Sequence, residues 1–449
     1  MIEARPARAA GSRSQPDRFT TGRLATVIGV AGWAGLVLAA RLVGLWAVRR
    51  DARAALPFPP LAARYDPRWN ARALIPLALA LLFLAVAPAA ARSLRWRTLL
   101  VMAFAAGLAW ALALAQVDGR VGLTGDGNYL DVVQLVHGPG TFLSAFVDRI
   151  GTYTQHVRAH PPGMVLLLWA MGRLGLGGSL AEGLMVTVAG CAAIPAVMVA
   201  AREVAGEDRA RAAAPFLALA PAAIWIATSA DALYAGVGAW AVALMILGTG
   251  RNGLRSDLLA LGGGLLFGTG LFLTYGLVPL AIVPLTIAVA RGRARPLLLA
   301  GAAAAGVAVP FALAGFWWLD GLRATIIQYH KSAASFRPQG AFWLVNLGAF
   351  AIALGPAIGP LLARLRDPRI WLLVGAGLAA VAVADATGLS KAEVERIWLP
   401  FAPWILLAAA SLRMPQLGQG AEGSSPSLRW LLGLQLATAL AIQLTVFGP

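Results

Sequence analysis

In a chain of 449 residues, 59% are hydrophobic and 13% charged, the mean hydropathy is +0.73 and the formal charge is +17. A soluble globular protein carries about a quarter charged residues, so this composition excludes a soluble enzyme and predicts a polytopic bundle of membrane-spanning helices, the spanning form that satisfies its own backbone. The charge is almost wholly arginine, Lys331 and Lys391 being the two lysines, and the arginines punctuate apolar runs as in a positive-inside pattern rather than forming a nucleic-acid surface.

In chain order, a polar head of about twenty residues precedes the first apolar run, which is too long for a cleaved signal peptide and reads as a retained anchor. Apolar segments follow at 24–46, 73–91, 98–117, 180–201, 212–229, 231–249, 297–315, 341–362, 370–386, 397–412 and 429–447. Residues 163–178 are short for a span, and 258–290 are interrupted at Thr274, Tyr275 and Gly276. The expectation is an all-α bundle of about eleven to fourteen spans. The expected division is 1–97 as a cytoplasmic tail and two extra helices, 98–412 as the main membrane module, and 413–449 as a connection and last helix. Cys191 is the single cysteine and lies in an apolar segment, so it reads as a small buried side chain.

Loop charge sets the orientation. Loops bearing Arg92, Arg95 and Arg97, then Arg251 and Arg255, then Arg291, Arg293 and Arg295, then Arg364, Arg366 and Arg369 are expected in the cytoplasm. Alternation places 118–162, 316–340 and 385–396 outside the plasma membrane, with 163–178 an interfacial or re-entrant piece. The same count puts 47–72 outside despite its six arginines. Either the first two helices are misread, or that loop binds anionic lipid.

The first outer loop is the longest polar interruption of the chain. Gly125-Asp126-Gly127 presents a carboxylate on a sharp turn, and Asp126 is a candidate general base; an Asx-turn explains it equally without chemistry. Tyr129 follows as a candidate substrate contact, and Asp131 suits the positive end of a short helix. Phe142, Phe146, Ile150 and Tyr153 share one face of a surface helix, with Asp148 directed elsewhere. His156 and His160 have HxxxH spacing, but His160 precedes a proline, which moves its backbone out of the helical region, and no zincin glutamate follows His156. Substrate or phosphate contact is the preferred reading for both. No cofactor is implied; a divalent ion is compatible, without a visible ligand set.

The other outer loops add bases. Ser390 and Glu393 have capping-box spacing, which predicts a helix starting there. Lys391 and Arg396 then stand near its N-terminus as candidate ligands of a lipid phosphate, with Glu393 or Glu395 partnering Arg396. Trp317 and Trp318 read as interfacial anchors, Lys331 as a possible contact for a lipid-linked donor, and Asp231 beside Tyr234 as a weaker sugar contact.

With Asp126 early in a long outer loop, surface helices after it, the His160-Pro161-Pro162-Gly163 corner and the run Thr387 to Trp404, the chain resembles the GT-C superfamily of polytopic glycosyltransferases, in the mode of protein O-mannosyltransferases and the aminoarabinose transferases of lipid A. The resemblance spans roughly 98–412. Arginine-rich, lysine-poor usage suits a high-GC actinobacterium, and one actinobacterial group of this type transfers methylthioxylose to mannoside caps of lipoglycans. The resemblance implies an inverting transferase using a polyprenyl-phosphate sugar and a glycan or glycolipid acceptor among membrane lipids. A carrier of lipid-linked sugars is the alternative, for which the break at 274–276 speaks.

Overall fold

A computed structural model describes residues 18–124, 128–227, 229–412 and 426–448. The architecture is an all-α helical bundle. Among the described residues nine helices are long and apolar enough to cross a membrane: Leu24–Arg50, Ala71–Ser93, Trp96–Asp118, Ser179–Ala205, Ala230–Gly248, Leu254–Leu273, Ala294–Leu313, Pro368–Ala386 and Leu428–Thr445. A tenth is the pair Gln339–Leu354 and Ile358–Arg364, bent by 89° at Gly355, whose φ is +83°. The buried Gln435 side chain closes that break, donating to Leu354 O at 2.8 Å and accepting from Ala357 N at 3.3 Å. The remaining apolar runs of the sequence are built as shorter pieces. The 212–229 run becomes the helix Glu207–Ala218 followed by the 3-10 turn Pro221–Trp225, and 397–412 is divided between Ala402–Leu406 and Leu407–Ser411.

Polar contacts sort the connections into two faces. On one, Arg211 donates to Ala91 O and Leu94 O, Arg291 pairs with Glu203 and Thr249, and Arg209 pairs with Asp367. Those bonds tie together the four arginine-bearing loops assigned to the cytoplasm. On the other face, Thr325 donates to Arg158 O at 3.1 Å and Tyr329 to Gly388 O at 2.7 Å, joining the three loops assigned to the outside.

The arginine-rich loop 51–73 belongs to that second face, since Ala62 N donates to Glu395 and Arg337 donates to Ala54 O. Its flanking helices are long and unbroken. The exception to the charge rule therefore stands, and three of its arginines have acidic partners: Arg53 pairs with Asp51 at 2.8 Å, Arg64 with Asp66 at 3.5 Å and Arg68 with Asp118. Residues 64–65 form a short antiparallel pair with 446–447, extended by Asp66 N to Thr445 O and Arg68 N to Leu444 O.

Within the first outer loop, the helix Pro139–Arg149 buries Phe142 and Phe146 while Asp148 is exposed, the face that the spacing predicts. Phe146 meets Phe316 edge-on at 5.6 Å, tying this loop to the next one outside. Helix Gly163–Arg173 has eleven residues, about 16 Å of rise, too short to span. It starts where a Cβ on Gly163 would collide with Phe272 O, so the turn after the two prolines needs glycine to pack this closely.

Candidate functional site

A cavity of 560 Å³ opens at the face of the loops that the charge pattern assigns to the outside. Its floor is built around the start of the helix Ala230–Gly248. Ser229 caps that helix by accepting from Asp231 N, and its hydroxyl also donates to Asp231 Oδ2 at 3.2 Å. Asp231 is 4% exposed, and Arg396 Nη1 donates to the same oxygen at 2.6 Å. Nη2 of Arg396 contacts Glu393 and lies 3.4 Å from His156 Nε2. One guanidinium is thus held by two carboxylates. Burial resists its charge, but Asp231 and Glu393 outweigh that and hold its pKa above the usual arginine value.

The segment that carries Arg396 departs from the capping-box expectation. Ala392 and Glu393 have φ of +68° and +59°, the short helix is Val394–Ile397, and Glu393 makes no capping bond. Left-handed conformation at a residue with a Cβ costs on the order of 1–3 kcal/mol. Asn346, fully buried, offsets the strain by accepting from Ala392 N at 3.0 Å while donating to Ser390 O at 2.7 Å and Asp385 Oδ1 at 2.8 Å. Ser390 and Glu393 are therefore spent on a clamp and an ion pair. Glu395 turns away from Arg396. Its Oε1 accepts from Ala62 N at 2.9 Å, its buried Oε2 has no hydrogen-bond partner among the described residues, and burial pushes the carboxyl up to about 7.

The HPPG corner brings a second group to the cavity. His160 Nδ1 lies 2.8 Å from His156 O; a carbonyl can only accept, so Nδ1 carries the hydrogen and Nε2 keeps its lone pair. Burial holds this ring below the usual histidine pKa, with Asp231 opposing, so near neutral pH it is an uncharged acceptor. Tyr129 OH is 3.1 Å from Tyr234 OH, and Tyr129 packs edge-on to His160 at 6.4 Å. Burial raises the Tyr129 pKa, keeping its phenol protonated.

No family model matches this chain, and no curated protein does. Among solved structures it is similar to ArnT from Cupriavidus metallidurans in the apo state, at 17% identity and TM-score 0.39, over 63% of this chain and 58% of that one. It is also similar to the Archaeoglobus fulgidus oligosaccharyltransferase in the apo form, at 14% identity and TM-score 0.45, over 80% and 57%. A third is AglB from Archaeoglobus fulgidus in complex with an inhibitory peptide and a dolichol-phosphate, at 14% identity and TM-score 0.39, over 79% and 56%. The chain spans less than two thirds of the length of each.

Of the residues singled out in the sequence, Tyr129, His156, His160, Asp231, Glu393 and Arg396 line one cavity. Asp126 lies outside the described residues; Thr124 and Tyr129, on either side of it, both line the cavity. Lys391 stands behind the lining, its ammonium donating to Arg337 O at 2.9 Å, and Lys331 is exposed away from it. Asp131 is exposed in the first turn of its helix, as an end charge. Sequence reasoning passed over Arg337 and Glu182, which also line the cavity, and the arginine excess of 47–72 was the signal for Arg64 and Arg68 in its roof. Among the described residues no three His, Cys, Asp or Glu side chains gather as a metal site.

Proposed function

We propose that this chain is a membrane glycosyltransferase. It moves a sugar from a polyprenyl-phosphate donor to a cell-envelope glycan or glycolipid on the outer face of the plasma membrane. The observation that carries this reading is the polar cavity at the loop face of an otherwise apolar bundle, where carboxylates, arginines and neutral acceptors meet. Among its lining carboxylates, Asp118, Asp231 and Glu393 are each paired with an arginine and poorly placed to accept a proton. Glu182 lines the cavity as well; on this reading Asp126, in the segment between the lining residues Thr124 and Tyr129, takes that role.

In the proposed reaction Asp126 takes the proton of the acceptor hydroxyl as its oxygen attacks the anomeric carbon. The bond from that carbon to the phosphate oxygen breaks, and the polyprenyl phosphate leaves with the electron pair. A single displacement inverts the anomeric centre. Neutral His160 and the Tyr129–Tyr234 pair supply hydrogen-bonding partners for sugar hydroxyls. A carrier needs polar groups around a midplane passage, whereas the sharpest helix break is closed by Gln435.

The test is transfer of labelled sugar from polyprenyl phosphate in membranes holding equal amounts of wild type or Asp126→Asn. Loss of about a hundredfold or more is expected for removal of a general base. Equal transfer by both proteins removes Asp126 from the mechanism, and absence of transfer from every donor tried favours the carrier.

A further inference from the structure

The cations lining the cavity are not equivalent. Arg64 pairs with Asp66, Arg68 with Asp118, and Arg396 with both Asp231 and Glu393. Arg337 is 9% exposed, yet its hydrogen-bond acceptors are carbonyls: Ala54 O at 2.8 Å, Ala55 O at 3.3 Å and Lys391 O. Among the described residues no carboxylate lies within 4.0 Å of it. Lys391 returns the contact by donating to Arg337 O, so two cations are held side by side through each other's backbone. Lys391 likewise has no carboxylate partner among the described residues.

Carbonyl dipoles solvate a guanidinium but do not cancel its charge, and a charge held out of water with no ion-pair partner is costly. Burial lowers the pKa of Arg337 and outweighs Glu393, Tyr329 and Glu395, which oppose it without an ion-pair contact; burial and then Arg337 itself lower that of Lys391. Three carbonyls do not exhaust the donors of a guanidinium, and the cavity adjoins it. Arg396, which the sequence offers as the phosphate ligand, carries two carboxylates of its own and has little charge left for an anion.

We propose that Arg337, supported by Lys391 behind it, is the anion pole of the cavity and takes a phosphate group. That group is the phosphate of the lipid-linked donor on the reading above, which this inference deepens; a charge with no ion-pair partner asks for an anion whatever reaction follows. Arg337 thereby joins the loop after the first helix, through Ala54 and Ala55, to the segment that carries Arg396.

The experiment measures binding to the full-length protein in lipid nanodiscs with three probes: undecaprenyl monophosphate, undecaprenol and inorganic phosphate as competitor. Wild type is expected to prefer the phosphorylated lipid by roughly tenfold or more, the scale of a charge-assisted bond. Arg337→Gln should bring that ratio towards one while undecaprenol still binds, and Arg337→Lys should keep most of it. Retained undecaprenol binding reports an intact fold, which a merely structural loss would not leave. Displacement by inorganic phosphate in wild type but not in Arg337→Gln supports the pole with a soluble anion as its source. Two results overturn the proposal: an unchanged ratio in Arg337→Gln, or no preference and no phosphate competition in wild type. The assay involves no sugar transfer, so the ratio can depend on Arg337 even where the transferase reading fails, and the reverse.

Discussion

At the scale of single residues, Arg396 and Glu395 are neighbours with opposite electrostatics. Arg396 is charged because Asp231 and Glu393 surround it, and removing either partner leaves a buried charge exposed to the full desolvation cost. Asp231→Ala should therefore destabilise the protein by about 3–5 kcal/mol, while Asp231→Asn with Arg396→Gln should recover part of that loss; thermal unfolding of the singles and the double in one detergent gives the coupling. Glu395 is pushed up to about 7 by burial, with Glu393 adding to the rise and Arg396 opposing it. Its folded-state value lies above its usual 4.5, so the folded protein binds the extra proton between those values. Stability from this group is full below 4.5 and falls as pH rises to about 7. Glu395→Gln should flatten that slope and raise the melting temperature at pH above 7; a wild-type slope unchanged in the variant would assign it to another group.

At the scale of elements, hydropathy located the long helices because lipid imposes length and composition on them. It did not locate the break in 212–229, where Pro221 opens the 3-10 turn, whereas in 397–412 Pro400 and Pro403 are a local signal for the kink. In the 390–393 segment the deciding partner is distant. Spacing predicted a capping box, but a buried asparagine from the helix Gln339–Leu354 claims the backbone, and the chain accepts two left-handed residues in exchange for placing Arg396. A local pattern cannot see Asn346. Asn346→Leu leaves Ala392 N and Ser390 O without that partner, at about 1–3 kcal/mol for each buried group left unmade. The variant should melt lower and lose sugar transfer although residue 346 does not line the cavity. Unchanged transfer in that variant would show that the strained segment holds its course without the clamp. The histidine corner was more legible because proline and glycine act locally: the two prolines end one segment and Gly163 permits the next to pack.

At the scale of the whole molecule, the cavity is roofed by the loop after the first helix and by the last described residues. Residues from Ala55 to Arg68 and from Ile442 to Gly448 line it, and strand pairing at 64–65 and 446–447 fastens them together. A catalytic module confined to 98–412 would lack this roof. Its arginines also bear on orientation, because six of them in 47–72 oppose the charge rule that the four other arginine-bearing loops obey. The rule counts Lys and Arg near helix ends rather than net charge, so the pairing of three of the six with Asp51, Asp66 and Asp118 leaves the exception in place. The remaining loops, bound into one face through Arg209, Arg211 and Arg291, carry the expectation that this face is cytoplasmic. Since Cys191 is the single cysteine and is buried, a Cys191→Ala background makes an introduced thiol a clean reporter. Arg64→Cys in that background should react with a membrane-impermeant maleimide on intact cells, and Arg293→Cys only after permeabilisation. Labelling of Arg293→Cys on intact cells, with Arg64→Cys unreactive, would invert the bundle. The cavity would then face the cytoplasm, and the proposed donor would have to be one presented on that side.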